Sequence, residues 1–148
     1  MPSSLDRVAH WLVTDDNPPR ELDGLDAERC VALHNAIFEH GWLKSGRSHE
    51  AWLAESRTWW ENRGQEAENS AHRFHPSLRA FLKEARVLPC HLDQSNFFYH
   101  LNDLLAVDFW EEPDFDDDTF LTLYSTTSNF CSHAVGMGYV VLSPPTSN

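Results

Sequence analysis

Basic residues are missing from the C-terminal part of this chain: none of its 11 lysines and arginines follows Arg86. The whole chain contains 23 aspartates and glutamates, and its net charge is −12. Binding to nucleic acid or to anionic lipid relies on clustered lysine and arginine side chains. The charge balance therefore predicts no direct contact with nucleic acid and no docking on a membrane surface.

Long hydrophobic runs and paired cysteines are also lacking. No stretch reaches the roughly 18–20 apolar residues that a transmembrane helix needs, and the N-terminus lacks the basic and apolar regions of a signal peptide. Cys30, Cys90 and Cys131 form an odd set with no metal-binding or disulfide spacing. These absences predict a cytoplasmic protein with reduced thiols.

Apolar residues are present in the amount that a folded domain needs. The 148 residues are 41% hydrophobic and include six tryptophans and nine phenylalanines, which argues against intrinsic disorder. A chain of this length can bury one core without metal or disulfide support. We expect a single domain over residues 1–148.

The pattern of helix and strand signals predicts an α+β fold, in which four or five N-terminal helices pack on a small C-terminal antiparallel sheet. The expected helices start with a short one after Ser3 or Ser4, followed by helices from Asp23 to Gly41, from Ser48 to Gly64 and after Pro76, with a loop over 65–74. Residues 95–106 suit a buried helix, although a strand is also possible there. Strands are expected at 119–125 and 138–143, with a third possible at 129–133.

Acidic residues are concentrated in one window of the sequence. All nine carboxylates after Arg86 lie between Asp93 and Asp118, and six of them lie in Glu111–Asp118 together with Phe115. Such a run can be a solvated loop that maintains solubility, or a docking surface for a basic partner. In the docking hypothesis, charge accelerates association and the aromatic residues serve as anchors.

A calcium loop is a third interpretation of this window, because Asp114, Asp116 and Asp118 have the 1-3-5 spacing of an EF-hand. The later positions do not fit, since Thr119 replaces the glycine and Ser125 replaces the final glutamate. The pattern does not favour calcium binding.

Nine histidines raise the question of a metal site. Cys30 and His34 have helical i, i+4 spacing, and His72 and His75 could complete a four-ligand set. The alternative is that Cys30 belongs to a buried stripe with Leu33 and Ile37. We expect this alternative, and no sequence motif implies a metal or a cofactor.

Three pairs of residues resemble parts of a catalytic site without completing one. These pairs are Cys131 with His133, Cys90 with His91, and His100 with Asp103. No serine-hydrolase elbow, phosphate loop or dinucleotide fingerprint accompanies them. No catalytic residue is therefore assigned.

Trp52, Trp59 and Trp60 fall with Ser56 on one face of the expected third helix. A stripe of this kind is typical of a core, and less often of a stacking platform or a partner anchor.

The leading hypothesis is a non-enzymatic, acidic interaction protein that binds and inhibits a basic protein partner, as an immunity protein or an antitoxin does. The partner would be a toxin, a nuclease or a similar cationic enzyme. The residues expected to bind it are Asp108, Trp110, Glu111, Glu112, Asp114, Phe115, Asp116, Asp117 and Asp118. A small hydrolase that uses metal, histidine or cysteine is the first alternative, with His72, His75 and His100 as candidates. A subunit of a larger assembly, held through the tryptophan-rich helix, is the second.

Overall fold

The structure is a computed structural model that describes residues 3–88 in full. Beyond residue 88 it describes the backbone of four short strands. Within the described residues the helices are α1 (Ser4–Arg7), α2 (Ala27–Lys44), α3 (His49–Glu55), α4 (Trp59–Arg63), α5 (Gln65–Ser70) and α6 (Pro76–Glu84). The strands are β1 (Arg57–Thr58), β2 (Arg86–Val87), β3 (Leu101–Leu104), β4 (Phe120–Thr122), β5 (Tyr124–Thr126) and β6 (Tyr139–Val141). Two turns of 3-10 helix, Ala9–Trp11 and Ala71–Arg73, follow α1 and α5.

We call residues 3–88 the helical body. It is mostly helical and contains one small two-stranded antiparallel sheet, in which Arg57 pairs with Val87 and Thr58 pairs with Arg86. This architecture confirms the α+β class in outline. None of the helices in the described part of the chain is long and apolar enough to span a membrane.

The later strands also pair in an antiparallel manner. β4 pairs with β6 in the register Phe120 to Val141, and β5 pairs with β3. Strands are expected at 119–125 and 138–143; the first range contains β4 and the start of β5, and the second contains β6. The helix expected over 95–106 is wrong where β3 lies, so the strand alternative holds there. The possible third strand at 129–133 lies outside the described residues.

Helix α2 begins later and ends later than the sequence suggested. The carboxylate of Asp26, rather than Asp23, caps its N-terminus by accepting the Arg29 N–H at 3.2 Å. Gly41 lies inside the helix and is not its stop. The chain turns at Gly46, whose φ of 86° is the left-handed conformation that favours glycine.

The expected third helix is divided in two at Ser56. Ser48 caps α3 as expected, by accepting the Ala51 N–H at 3.1 Å. Ser56 then adopts an extended backbone and its hydroxyl donates to the Trp52 carbonyl at 2.6 Å. Local side-chain bonding of this kind competes with helix continuation. Gly64 does end the helical stretch, as the C-cap of α4.

The loop expected over 65–74 is wrong, because α5 and a 3-10 turn occupy most of it. Polar residues dominate this stretch, and only Ala67 and Ser70 of α5 are buried. A helix with so small an apolar face has little hydrophobic periodicity to reveal it. Pro76 is at the start of α6, as the sequence predicted.

Two apolar clusters form the core of the helical body. The larger cluster contains Trp59, Trp60, Ala67, Phe74, Leu78, Phe81, Leu82, Ala85 and Val87. The smaller cluster contains Phe38, Trp42, Trp52 and Leu88. Helix α2 contacts both, because Cys30 and Val31 pack against the larger cluster and Phe38 and Trp42 belong to the smaller one.

Candidate functional site

The nine residues expected to bind a partner, from Asp108 to Asp118, lie outside the described residues. The same holds for Cys90, His91, His100, Cys131 and His133. Asp103 lies in β3, of which the backbone alone is described. The partner-binding hypothesis therefore stays a prediction, and the three residue pairs stay without an assigned role.

Cys30 and His34 lie one turn apart on α2, and the described residues do not place further ligands beside them. The Cys30 thiol is half-buried, and burial and the nearby Asp26 carboxylate raise its pKa. A thiol with a raised pKa is a poor nucleophile and a poor ligand at neutral pH. No group of three or more histidine, cysteine, aspartate or glutamate residues that could hold a metal occurs among the described residues. The four-residue set with His72 and His75 is therefore not assembled.

His34 connects α2 to β2. Its ring lies between Phe38 and Phe81, with centroid distances of 4.4 and 5.6 Å. Its Nε2–H donates to the Arg86 carbonyl oxygen at 2.8 Å. Burial lowers the pKa of His34 to about 4, against a smaller opposing effect of this hydrogen bond. The imidazole is neutral at pH 7 and stabilises the contact of the two elements.

His75 and Ser77 lie in hydrogen-bond contact at the start of α6. Here Nδ1 of His75 lies 2.7 Å from Oγ of Ser77. The same Nδ1 accepts the Ser77 N–H at 3.3 Å, so His75 is also the N-cap of the helix. An imidazole nitrogen that accepts a hydrogen bond carries no proton, so His75 is protonated on Nε2.

The turn at Gly24 and Leu25 covers this pair. The Leu25 N–H donates to Oγ of Ser77 at 2.9 Å. Gly24 has a φ of 85°, and a Cβ there would lie 2.4 Å from that Oγ and 2.7 Å from the His75 ring. A glycine is therefore required at position 24, both for its backbone and for the close approach.

A carboxylate completes the surroundings of His75 at a longer distance. Oδ2 of Asp23 lies 3.7 Å from Nε2, and the Asp23 side chain is fully exposed. This separation exceeds a hydrogen bond, so the contact is a weak, solvent-screened attraction.

Trp52, Trp59 and Trp60 belong to the core, as expected. Their exposed fractions are 3%, 2% and 8%. The alternative of a stacking platform is wrong, because the ring faces are not available to a base or a partner. Ser56, on the same stripe, is also buried at 5%.

Cationic groups lie over two of the buried tryptophan rings. The guanidinium of Arg47 lies 4.4 Å from the Trp42 ring centroid, and the Lys83 ammonium lies 5.2 Å from that of Trp60. Cation–π contacts of this kind hold the cationic side chains against the body.

Ion pairs engage further basic residues within the helical body. Arg7 bonds Glu39 at 2.5 Å, and Arg20 pairs with Asp26. The Arg20 hydrogen bond holds the pKa of Asp26 below its usual range. Arg86 donates to Oγ of Ser56 at 2.9 Å. Much of the positive charge is thus committed to contacts inside the body.

Comparison with known proteins identifies no relative. No protein family, no curated protein and no solved structure matches this chain.

Sequence reasoning named His75 but not Ser77 or Gly24. The His-Pro-Ser order at 75–77 gives a local signal, because a short-range capping histidine can reach the residue two positions on. The contact with Leu25 has no such signal, since 52 residues separate Leu25 from Ser77.

Proposed function

We propose that the protein is a non-enzymatic interaction protein that binds and inhibits a basic protein partner, in the manner of an immunity protein or an antitoxin. The observation that carries the proposal is the segregation of charge. All 11 basic residues lie in the helical body, whereas the nine acidic residues that follow it have no basic neighbour in sequence.

The contacts of the helical body support this proposal. Arg7, Arg20 and Arg29 are in ion pairs with carboxylates of the body itself. Arg47 and Lys83 lie against tryptophan rings. These five cations already have contacts within the helical body.

The proposed mechanism is occlusion of a cleft that binds anionic substrate. Asp108, Glu111, Glu112, Asp114, Asp116, Asp117 and Asp118 supply the charge that accelerates encounter with a cationic surface. Trp110 and Phe115 supply apolar anchors that slow dissociation, because buried aromatic residues dominate the affinity of many interfaces.

A tagged form of the chain is first used to recover the partner, which is then purified. The test measures the rate at which the chain associates with this purified partner. Reversing Asp116, Asp117 and Asp118 to lysine is expected to slow association by about tenfold or more, and raising the salt concentration should reduce the difference. The recovered partner is expected to be basic.

A matched control separates a local surface from net charge. Asp15→Lys, Asp16→Lys and Glu21→Lys change the total charge by the same amount, at exposed positions of the helical body. This control is expected to slow association much less. Equal slowing by the two triple variants, or recovery of an acidic partner, would show that the acidic segment, residues 108–118, is not the binding surface.

Three finer expectations belong to the same proposal. The protein is cytoplasmic, its cysteines are reduced, and its helices pack on one face of a C-terminal antiparallel sheet. Alkylation of the native protein from cells tests the second: all three cysteines should accept the reagent after unfolding without reductant. A protected pair would contradict it.

A further inference from the structure

We propose that the N-terminal segment is a displaceable cover on helix α2, which a basic segment of the partner replaces. We call residues 3–20 the strap. Its arginines occupy carboxylates of α2 that can bind cations of another molecule once the strap leaves. The inference rests on the proposed function for the class of the partner, a basic protein, and adds a second contact surface whose availability the strap controls.

The strap runs antiparallel to α2 and is held near both of its ends by an arginine. Near its start, Nη2 of Arg7 donates to Oε2 of Glu39, in the second half of α2, at 2.5 Å. At its end, Nε of Arg20 donates to Oδ2 of Asp26, the N-cap of α2, at 2.6 Å, and Nη1 lies 3.3 Å from Oε2 of Glu28. Two cations of the strap thus contact three carboxylates at the N-cap and along the length of one helix.

The strap contributes almost nothing to the apolar core. Ser4 is its only buried residue, and the side chains of Leu5, Leu12 and Val13 are exposed. Over the part of the chain that the structure describes, no strap residue belongs to either apolar cluster. Because burial of apolar surface is the main source of stability, the strap should leave α2 while the rest of the helical body stays folded.

A further contact between the strap and α2 is polar as well. The guanidinium of Arg29, which is 6% exposed, donates to Oδ1 of Asn17 at 2.8 Å and to the Pro18 carbonyl at 3.1 Å. Water can replace both acceptors when the strap leaves. The side chains of Arg7 and Arg20 are about half exposed, and ion pairs of that exposure are weak and screened by salt.

The surroundings of Glu39 determine the chemistry of whatever replaces the strap. The Glu39 side chain is only 10% exposed, and Nε2 of His49 in α3 lies 3.0 Å from its Oε1. This contact orients the carboxylate and leaves Oε2 for a guanidinium, the group that Arg7 supplies. A carboxylate with so little contact with water is destabilised when it loses its charged partner. A segment that displaces Arg7 must therefore bring a cation of its own.

The experiment measures amide hydrogen exchange of the full chain by NMR, with hexa-arginine as the basic probe and hexa-glutamate as its control. Helix α1 has four residues, too few to persist without tertiary contacts, so release of the strap exposes the amides of Arg7 and Val8. Excess hexa-arginine should accelerate their exchange by about tenfold and leave the Ala85 amide of the core unchanged. Hexa-glutamate should change neither.

The variant Glu39→Gln tests one anchor without any probe. Its amide keeps the shape of the side chain but removes the charge that holds Arg7, so the strap amides should exchange about threefold to fivefold faster, as expected for one lost surface ion pair. Glu66→Gln is the matched control, because it removes the same charge from an exposed residue of α5 that lies near Arg63. This control should leave the exchange of the strap unchanged.

The triple change of Asp116, Asp117 and Asp118 to lysine separates this inference from the proposed function. Hexa-arginine should still release the strap of this variant. Loss of the response would show that the peptide acts through residues 108–118, and would overturn the strap inference alone. Association of the variant with the partner at the wild-type rate would instead overturn the acidic segment as the binding surface, and leave the strap contact standing.

Three results would each overturn the strap inference directly. These are strap amides that do not respond to hexa-arginine, equal acceleration by hexa-arginine and hexa-glutamate, and equal exchange of the strap in the folded Glu39→Gln and Glu66→Gln variants.

Discussion

His34 and His75 show how one residue type takes two roles within the helical body. His34 is buried and touches two phenylalanine rings, whereas His75 is half-buried at a helix start. Both rings carry their proton on Nε2, but His34 uses that nitrogen as a donor to Arg86 and His75 uses Nδ1 as an acceptor. The surroundings of an imidazole, rather than its position in a motif, determine its chemistry.

Of the four changes described here, Phe81→Ala should destabilise the protein most. Phe81 is 2% exposed and its ring packs on that of His34. Removing it should lower the free energy of unfolding by about 3–5 kcal/mol, through lost burial and a cavity. Urea denaturation measures the loss. Leu53→Ala, at a side chain that is 56% exposed, should cost far less. Equal costs would contradict the assignment of Phe81 to the core.

Acid titration should reveal the contribution of His34 to the pH dependence of stability. Its pKa of about 4 in the folded state lies below the ordinary histidine value of 6.5, so the unfolded state binds the proton more readily. Stability is full above about pH 6.5 and falls as the pH drops towards 4, by on the order of 2–3 kcal/mol.

His34→Gln provides the control for this titration, because its amide can still donate to the Arg86 carbonyl but does not titrate. Urea midpoints at several pH values should lose most of their dependence between pH 6.5 and 4 in this variant. An unchanged pH dependence would mean that another group causes it. The pKa values of Asp6, Asp26 and Glu61 are lowered, so these groups lose their contributions at lower pH.

Gly24→Ala should affect the His75 region and leave the His34 region intact. The left-handed backbone and the approach of Ser77 should together cost about 1–2 kcal/mol of stability. The NMR signals of the His34 ring should not move, whereas those of the His75 ring should. A Gly24→Ala variant with the same thermal unfolding midpoint as the wild-type protein would contradict the requirement for glycine.

Ser48→Ala should have the smallest effect of the four. It removes one cap from α3, at a cost of about 1 kcal/mol, and touches neither histidine. Hydrogen exchange at the Ala51 amide should accelerate. Unchanged exchange and stability would show that this serine contributes nothing to the helix.

Local signals in the sequence predicted several helix boundaries well. Ser48, Gly64 and Pro76 each have a side chain or backbone preference that acts within a few residues. Gly41 misled because a glycine inside a helix and a glycine that ends one look alike in sequence. The break at Ser56 was not predicted, because serine also occurs inside helices and because the β1–β2 pairing that follows the break joins distant parts of the chain.

The contacts of Ser77 could not be predicted from the sequence. The sequence makes His75 a candidate beside His72 and His100 in a hydrolase, and beside Cys30, His34 and His72 in a metal site. The decisive neighbours come from the Gly24–Leu25 turn, which precedes α2 in the sequence and contacts the start of α6 in the fold. No periodicity or spacing encodes such a long-range approach. The acidic segment is the opposite case, because its charge is visible in the sequence alone.

The pairing of β1 with β2 has a consequence for the integrity of the chain. It joins Arg57 to Val87, and the Trp59 N–H adds a bond to the Ala85 carbonyl at 2.8 Å. A single proteolytic cut at the exposed Gly64 would leave its two fragments held by these bonds and by the shared core. The body should therefore reassemble from complementary halves after such a cut.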